Sequence, residues 1–369
     1  VLKTTQLAKN PSVYRLVKLW AQRYVPDIST LALKDGSYDY SALEKTASPE
    51  GRDQTVAKLK RLINLDCEYA GIETNTLFSY IPNIVNLAEC RQLARFVWQV
   101  YDKTLDIYRQ QSLVPTVTQA ARLQAVATTT VNPALHPKTD RLKMPGLEML
   151  AVEKLATELE PVLLELQEQH LLAKDHRAIG FVNTQFHFSS KLVLKQLTPP
   201  EQVLLSPYLK FVEEQVLIPW QRVCAAAAKH DFSSPSLAIV EKLLAQSDEI
   251  ASAVFHKTVQ LNPNHRSRRG KLTHPGIAAS TTRDMNMFQA YLWLCILEES
   301  MVVVEYELLP LCVMVLPSVE VKWELTQQMI QLLIDEIKAR VTPAQKELLM
   351  PYTQALQRLF SNPEMKAGI

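Results

Sequence analysis

Apolar residues recur along most of this chain at intervals of three and four, the spacing of an amphipathic helix. After Asn10-Pro11, a cap followed by a residue preset for the first helical turn, Val13, Leu16, Val17, Trp20 and Tyr24 fall on one side. A helix is predicted near Asp53–Asp66, and a longer one from about Leu87 to Gln111. In the latter Leu87, Cys90, Ala94, Val97, Tyr101 and Tyr108 mark one face, and Phe96, Val100 and Ile107 a second, so it should pack against two neighbours. From Ser236 to Leu261 the residues Leu237, Val240, Leu243, Leu244, Ile250, Val254 and Leu261 keep helical phase, with Glu241, Lys242, Asp248 and Glu249 opposite. The pattern predicts an all-α, multi-helix bundle of roughly twelve helices.

Punctuation divides the chain. The stretch 128–146 carries Pro133, Pro137 and Pro145 without apolar periodicity, which separates an N-terminal helical part, 1–130, from a C-terminal bundle, 146–369. Within the second part, Thr198-Pro199 to Tyr208 and Thr342-Pro343 to Tyr352 share the pattern T-P-x4-L-L-x-P-Y. Upstream, Glu158-Leu159-Glu160-Pro161 parallels Glu307-Leu308-Leu309-Pro310. In each T-P string Thr caps a helix, Pro sets its first φ, the Leu pair faces the core and the second Pro bends the axis. Either an internal duplication (150–215 and 294–360) or independent convergence on capped, kinked helices explains the match.

The greasiest region, Phe288 to Leu316, raises the question of a membrane. Its charge-free runs, Met285–Leu297 and Leu308–Val319, are 13 and 12 residues long and are separated by Glu298, Glu299, Glu305 and Glu307. A spanning helix needs about 18 or more apolar residues. A buried central helix pair is therefore expected, with no integral membrane segment.

Composition sharpens the helical reading. Only 8 of 369 residues are glycine while 21 are proline, and 40 basic residues face 38 acidic ones for a net charge of +2. Few residues can supply the positive φ that tight hairpins and glycine-rich phosphate loops require. The cysteines Cys67, Cys90, Cys224, Cys295 and Cys312 form no C-x-x-C pair, and an odd number in apolar stretches suits free thiols in a reducing, cytoplasmic compartment. The near-zero charge argues against a protein that coats nucleic acid non-specifically.

The usual signatures of catalysis are missing. No G-x-x-x-x-G-K-[ST], G-x-G-x-x-G or G-x-S-x-G string occurs, no histidine has Glu three residues before it, and H-E-x-x-H is absent. No cofactor and no metal is expected on these grounds, and the chain leans away from being an enzyme. One cluster carries an alternative: Glu165, Glu168, His170, Asp175, His176 and His187 lie close in sequence. A turn that folded His170, His176 and His187 together would make a ligand or metal site; a surface turn with one half-buried imidazole is the structural alternative. The five tryptophans, Trp20, Trp98, Trp220, Trp293 and Trp323, all sit in apolar helical stretches and suit core anchors.

The strongest asymmetry is a basic connection. Between Ala251 and Arg283 there is no acidic residue, whereas Lys257, Arg266, Arg268, Arg269, Lys271 and Arg283 are all present. Arginines in a loop suit bidentate contacts with carboxylate or phosphate. Ser280-Thr281-Thr282-Arg283-Asp284 is expected to open the following helix, whose free N–H groups would add to an anion site. Arg266, Arg268, Arg269, Lys271 and Arg283 are therefore the candidate partner-binding residues, set against a solvated loop balanced by Glu298 and Glu299. The function expected first is a non-catalytic helical interaction protein (adaptor, assembly factor or regulator) that docks a protein partner with an acidic surface; exposed faces not charged enough to be inert throughout also suit a homodimer. Two alternatives stay open: a nucleic-acid-binding regulator using the same loop and the helix after it, and a helical-bundle enzyme or carrier of a cofactor or pigment.

Overall fold

The computed structural model describes residues 10–24, 26, 31, 40–78, 87–111, 152–172, 178–268 and 270–361. Among them are fifteen α-helices, which places the chain firmly in the all-α class. In order they are α1 (Pro11–Ala21), α2 (Tyr40–Ala47), α3 (Pro49–Lys60), α4 (Ile63–Leu77), α5 (Leu87–Gln110), α6 (Val152–Leu172), α7 (Ala178–Lys195) and α8 (Pro199–Leu217). There follow α9 (Trp220–Ala227), α10 (Pro235–Ala245), α11 (Ser247–Leu261), α12 (Pro275–Glu298), α13 (Leu309–Ser318), α14 (Trp323–Ala339) and α15 (Pro343–Ser361). The boundary expected at 128–146 lies outside the described residues.

Local chemistry sets the helix ends. The Asn10 side chain accepts hydrogen bonds from the N–H groups of Ser12 (2.9 Å) and Val13 (3.4 Å), and Pro11 follows at the first position. Ser48 caps α3 through the Gly51 N–H at 3.1 Å. The two T-P strings both start helices at their proline. Glu201 accepts from the Thr198 N–H at 2.8 Å, and Gln345 accepts from the Thr342 N–H at 3.0 Å while its own N–H donates to Thr342 Oγ1. Each string ends a run of three helices, α6 to α8 in one case and α13 to α15 in the other.

Two expected helices divide. The one anticipated over Asp53–Asp66 breaks at Arg61-Leu62, between α3 and α4. The Ser236–Leu261 pattern is interrupted at Gln246, whose φ of −112° and ψ of 8° leave helical space and separate α10 from α11. In both places the apolar face continues across the break, so periodicity alone does not reveal it.

The buried centre is α12. Every residue from Met285 to Leu297 is buried, and α9, α10, α11 and α15 pack around it. It is one of the pair of buried central helices expected from the greasy run; the other, α13, is only partly buried, and among the described residues no helix is long and apolar enough to cross a membrane. The α12 helix ends at Glu299, whose left-handed φ of 51° turns the chain, and after a π-type turn over Val304–Leu308 the chain enters α13. On the other side α4 packs on α5 and α7, and α5 packs on α3, α6 and α8. The first helix reaches across to α9 and α10, where Trp20 stacks on Trp220 at 4.3 Å and meets Trp293 edge-on at 6.3 Å. Buried apolar side chains from Val13 to Phe360 thus form one contiguous cluster. Four of the five tryptophans are buried core anchors, and Trp98 is partly buried against the core.

A salt-bridge cluster lies inside this core. Arg23, 4% exposed at its side chain, donates to Glu214 at 3.0 Å, to Ser247 Oγ at 2.6 Å and pairs with Asp248 at 3.0 Å. Tyr24 Oη donates to the same Glu214 at 2.6 Å. The group ties the end of α1 to α8 and α11.

Candidate functional site

A partly open cleft of about 170 Å3 lies between α7, the start of α12, α13 and α14. Apolar side chains form most of its wall, among them Ile277, Phe288, Leu311, Val315 and Met329. The approach of α7 to α13 depends on Gly180. A Cβ there would come within 2.7 Å of Met314 Cε, 2.8 Å of Leu311 Cδ1 and 2.9 Å of Val315 Cγ2, so a larger residue would force those side-chain ends to move. From Gly180 the same face of α7 continues through Asn183, Thr184 and His187, and these line the cleft.

The polar chemistry is concentrated at this edge. His187 Nδ1 lies 3.5 Å from Glu213 Oε2 of α8, and Arg283 of α12 reaches the same oxygen at 3.7 Å. Burial alone would raise the Glu213 carboxyl, but the His187 hydrogen bond and charge, with the Arg283 charge, hold it below the usual carboxylate value. Arg283 also pairs with Asp284 at 3.2 Å. His187 turns Nδ1 toward Glu213 and leaves Nε2 on the other side of the ring. That Nε2 is buried without a hydrogen-bond partner, and so are both Nδ2 and Oδ1 of Asn183, a residue only 8% exposed. Buried polar groups are normally satisfied; other buried side-chain atoms, among them Gln185 Oε1 and Trp293 Nε1, are likewise without a hydrogen-bond partner.

Cys312 lines the cleft as well, but burial pushes its thiol well above the ordinary value. Cys67, Cys224 and Cys295 are buried and shifted the same way, so none of these four thiols is primed as a nucleophile. Among the described residues no group of three or more His, Cys, Asp or Glu is placed to hold a metal ion.

The basic connection forms a small antiparallel hairpin, Arg266–Ser267 (β1) against Gly270–Lys271 (β2), with Gly270 at a φ of 125°. Arg266 and Lys271 face each other across the ladder and are exposed; Arg268 pairs with Glu320 at 3.4 Å, and its backbone N–H donates to Val319. Arg269 lies outside the described residues. The inner side of the hairpin contributes Ser267 and Leu272 to the cleft. Arg283 sits in the cleft wall, paired with Glu213 and Asp284.

Ser280 to Asp284 do not open a helix. The helix begins at Pro275, where His274 Nδ1 accepts from the Gly276 N–H at 3.2 Å, so Arg283 lies two turns inside and no free N–H groups surround it. Loop balance likewise comes from Glu320, not from Glu298 or Glu299. Of the histidine cluster only His187 can be placed; His176 and the His170 side chain lie outside the described residues. Sequence reasoning missed Asn183, Glu213 and Gly180. Their one signal was Gly180 in the first turn of α7, where a missing side chain allows close packing.

Residues 225–359 match the phycobilisome protein family. The match covers less than half of the chain, from the end of α9 to the end of α15, and so includes the hairpin, α12, α13 and α14. Comparison with curated proteins and with solved structures found no match.

Proposed function

We propose that this chain is a helical carrier of an apolar organic cofactor or pigment, held in the cleft between α7, α12, α13 and α14 and used in a cytoplasmic setting alongside phycobilisome proteins. One observation carries the reading: the segment matched by the phycobilisome family supplies three of the four helices around the cleft. Apolar walls with a few convergent polar groups are what a small-molecule site requires. The raised thiols favour non-covalent holding over attachment through sulfur. Expression in a pigment-producing cell, followed by purification and visible absorption spectroscopy, tests this. A visible band that co-elutes with the protein and is lost in Leu311→Trp, with far-ultraviolet dichroism unchanged, is the expected result. A colourless protein that also binds no added apolar aromatic would overturn the reading.

The exposed cross-strand pair Arg266 and Lys271 favours a second reading. Like charges directly opposite in a ladder repel, and among the described residues neither has an acidic side chain in ion-pair range. Arg266, Arg268, Arg269 and Lys271 would then dock an acidic protein surface, as an adaptor or regulator does. Changing Arg266, Arg268 and Arg269 to Ala should abolish capture of that partner while helicity persists. A steep fall of binding with salt, set by the number of phosphates contacted, would instead point to nucleic acid.

A further inference from the structure

We propose that the outer face of α4 docks an amphipathic helix of a partner protein, one whose apolar seam is flanked by Lys or Arg. The inner face of α4, Ile63, Cys67, Ala70, Gly71 and Thr74, is buried, and the helix packs on α5 and α7. The opposite face is apolar as well. Leu62 at the N-cap, Leu65, Tyr69 and Ile72 are 39%, 64%, 52% and 65% exposed, four of the ten exposed large apolar side chains among the described residues. Single apolar residues scattered over a surface need no explanation, but a run along one helix does. Their intervals of three, four and three residues are the a/d spacing of a helix–helix seam, and all four fall within about 80° of arc. None of the four lines the cleft, and α4 lies outside residues 225–359, so the inference stands apart from the carrier reading.

The rim of the stripe sets the charge of the partner. In this register Asp66 and Glu73 take e positions and Glu68 a g position, against Arg61 as the basic rim residue. Glu68 and Glu73 are exposed, and among the described residues no basic side chain lies within ion-pair range of either. Asp66 accepts from Gln196 Nε2 at 2.6 Å through Oδ2. Basic e and g residues on an incoming helix would pair with these carboxylates. A second copy of the chain fits poorly. Antiparallel, it would set Asp66 and Glu73 against the same two carboxylates; parallel, it would set Glu68 against Glu73. An anionic bilayer meets the same repulsion.

Two labelled synthetic peptides of about three heptads, titrated with the full chain and followed by fluorescence anisotropy, test this. Both carry Leu at a and d; one has Lys and the other Glu at e and g, and like charges on both flanks keep each from pairing with itself. Expected is saturable binding of the Lys peptide, at least about tenfold tighter than the Glu peptide and weakening as salt rises. Leu65→Gln and Ile72→Gln should each abolish it while Tm stays within about 2 °C of the parent, because both side chains lie outside the core. Glu68→Lys combined with Glu73→Lys should turn the preference toward the Glu peptide. Failure of both peptides to bind, binding without a charge preference, or a preference that survives the double charge change would overturn the proposal. So would a dimer in sedimentation that Leu65→Gln dissolves, which would seat a second copy here. A fall in Tm well beyond about 2 °C in both Gln variants would place the face under a segment of the same chain and overturn it too.

Discussion

Replacing Arg23 by Met should destabilise the protein by about 3 kcal/mol. The guanidinium is 4% exposed at its side chain and compensates Glu214, itself 3% exposed, at 3.0 Å. Breaking such a buried pair by removing one partner costs about 3–5 kcal/mol, since the other charge stays behind in a poor solvent. The low end applies here because Glu214 keeps the Tyr24 hydroxyl at 2.6 Å and Lys210 Nζ at 3.8 Å. Asp248, which also loses Arg23, is 28% exposed and can be hydrated. For a chain of this size the loss corresponds to a fall in Tm of roughly 6 °C, at about 2 °C per kcal/mol. Equilibrium urea unfolding followed by tryptophan fluorescence is well placed to report it, because the Arg23 guanidinium lies 4.5 Å from the Trp20 ring centre. Coincidence with the dichroism transition would license the free-energy reading. The double change Arg23→Met with Glu214→Leu should recover most of the loss, because no bare charge remains buried. A single variant within about 0.5 kcal/mol of the parent, or a double variant no more stable than the single one, would refute the reasoning.

Three further outcomes are expected. Gly180→Val should cost about 1–3 kcal/mol in urea unfolding by overpacking the α7–α13 contact; a neutral change would show that this approach is not tight. Glu201, Glu213 and Glu336 are all held below their ordinary value of 4.5: burial alone would raise each, but Lys58, His187 and Lys257 respectively, with their neighbours, outweigh it. Their contribution is therefore complete above the unfolded value and is lost as the pH falls through the lower folded values, so Glu213→Gln should flatten the acid limb of a stability–pH curve, and an unchanged limb would count against the pairing. Cys67, Cys224, Cys295 and Cys312 should resist an alkylating thiol reagent at pH 8 until the chain unfolds, since burial pushes the Cys67 and Cys295 thiols to about 12 and the other two higher. Fast labelling of any of them, located by peptide mass mapping, would contradict their burial.

Much of the architecture was legible because it depends on local chemistry. Scarce glycine, caps such as Asn10-Pro11 and unbroken apolar phase yield helices wherever they occur, and Met285–Leu297, free of charged residues, reads directly as an interior segment. Breaks were less legible: Gln246 and Arg61-Leu62 interrupt the backbone without interrupting the apolar face. The start of α12 was misplaced to Ser280 although His274-Pro275 carries the cap-and-proline signal, because the hydroxyl-rich string downstream offered a competing one. The cleft could not be read from the sequence. Asn183, Glu213 and Arg283 belong to three helices and meet only through long-range packing, and an amide such as Asn183 gives no one-dimensional sign that its partners are missing.

Methionine methyl NMR tests most directly whether this cleft takes up apolar aromatic molecules. Met285, Met287 and Met329 line it, whereas Met350 is 47% exposed on α15 and serves as an internal control. Titration of the 13C-methyl-labelled chain with 2-quinolinone should shift the three cleft resonances saturably and leave Met350 in place. Shifts at Met350 alone, or none at all up to the solubility of the probe, would contradict a ligand site between α7, α12, α13 and α14.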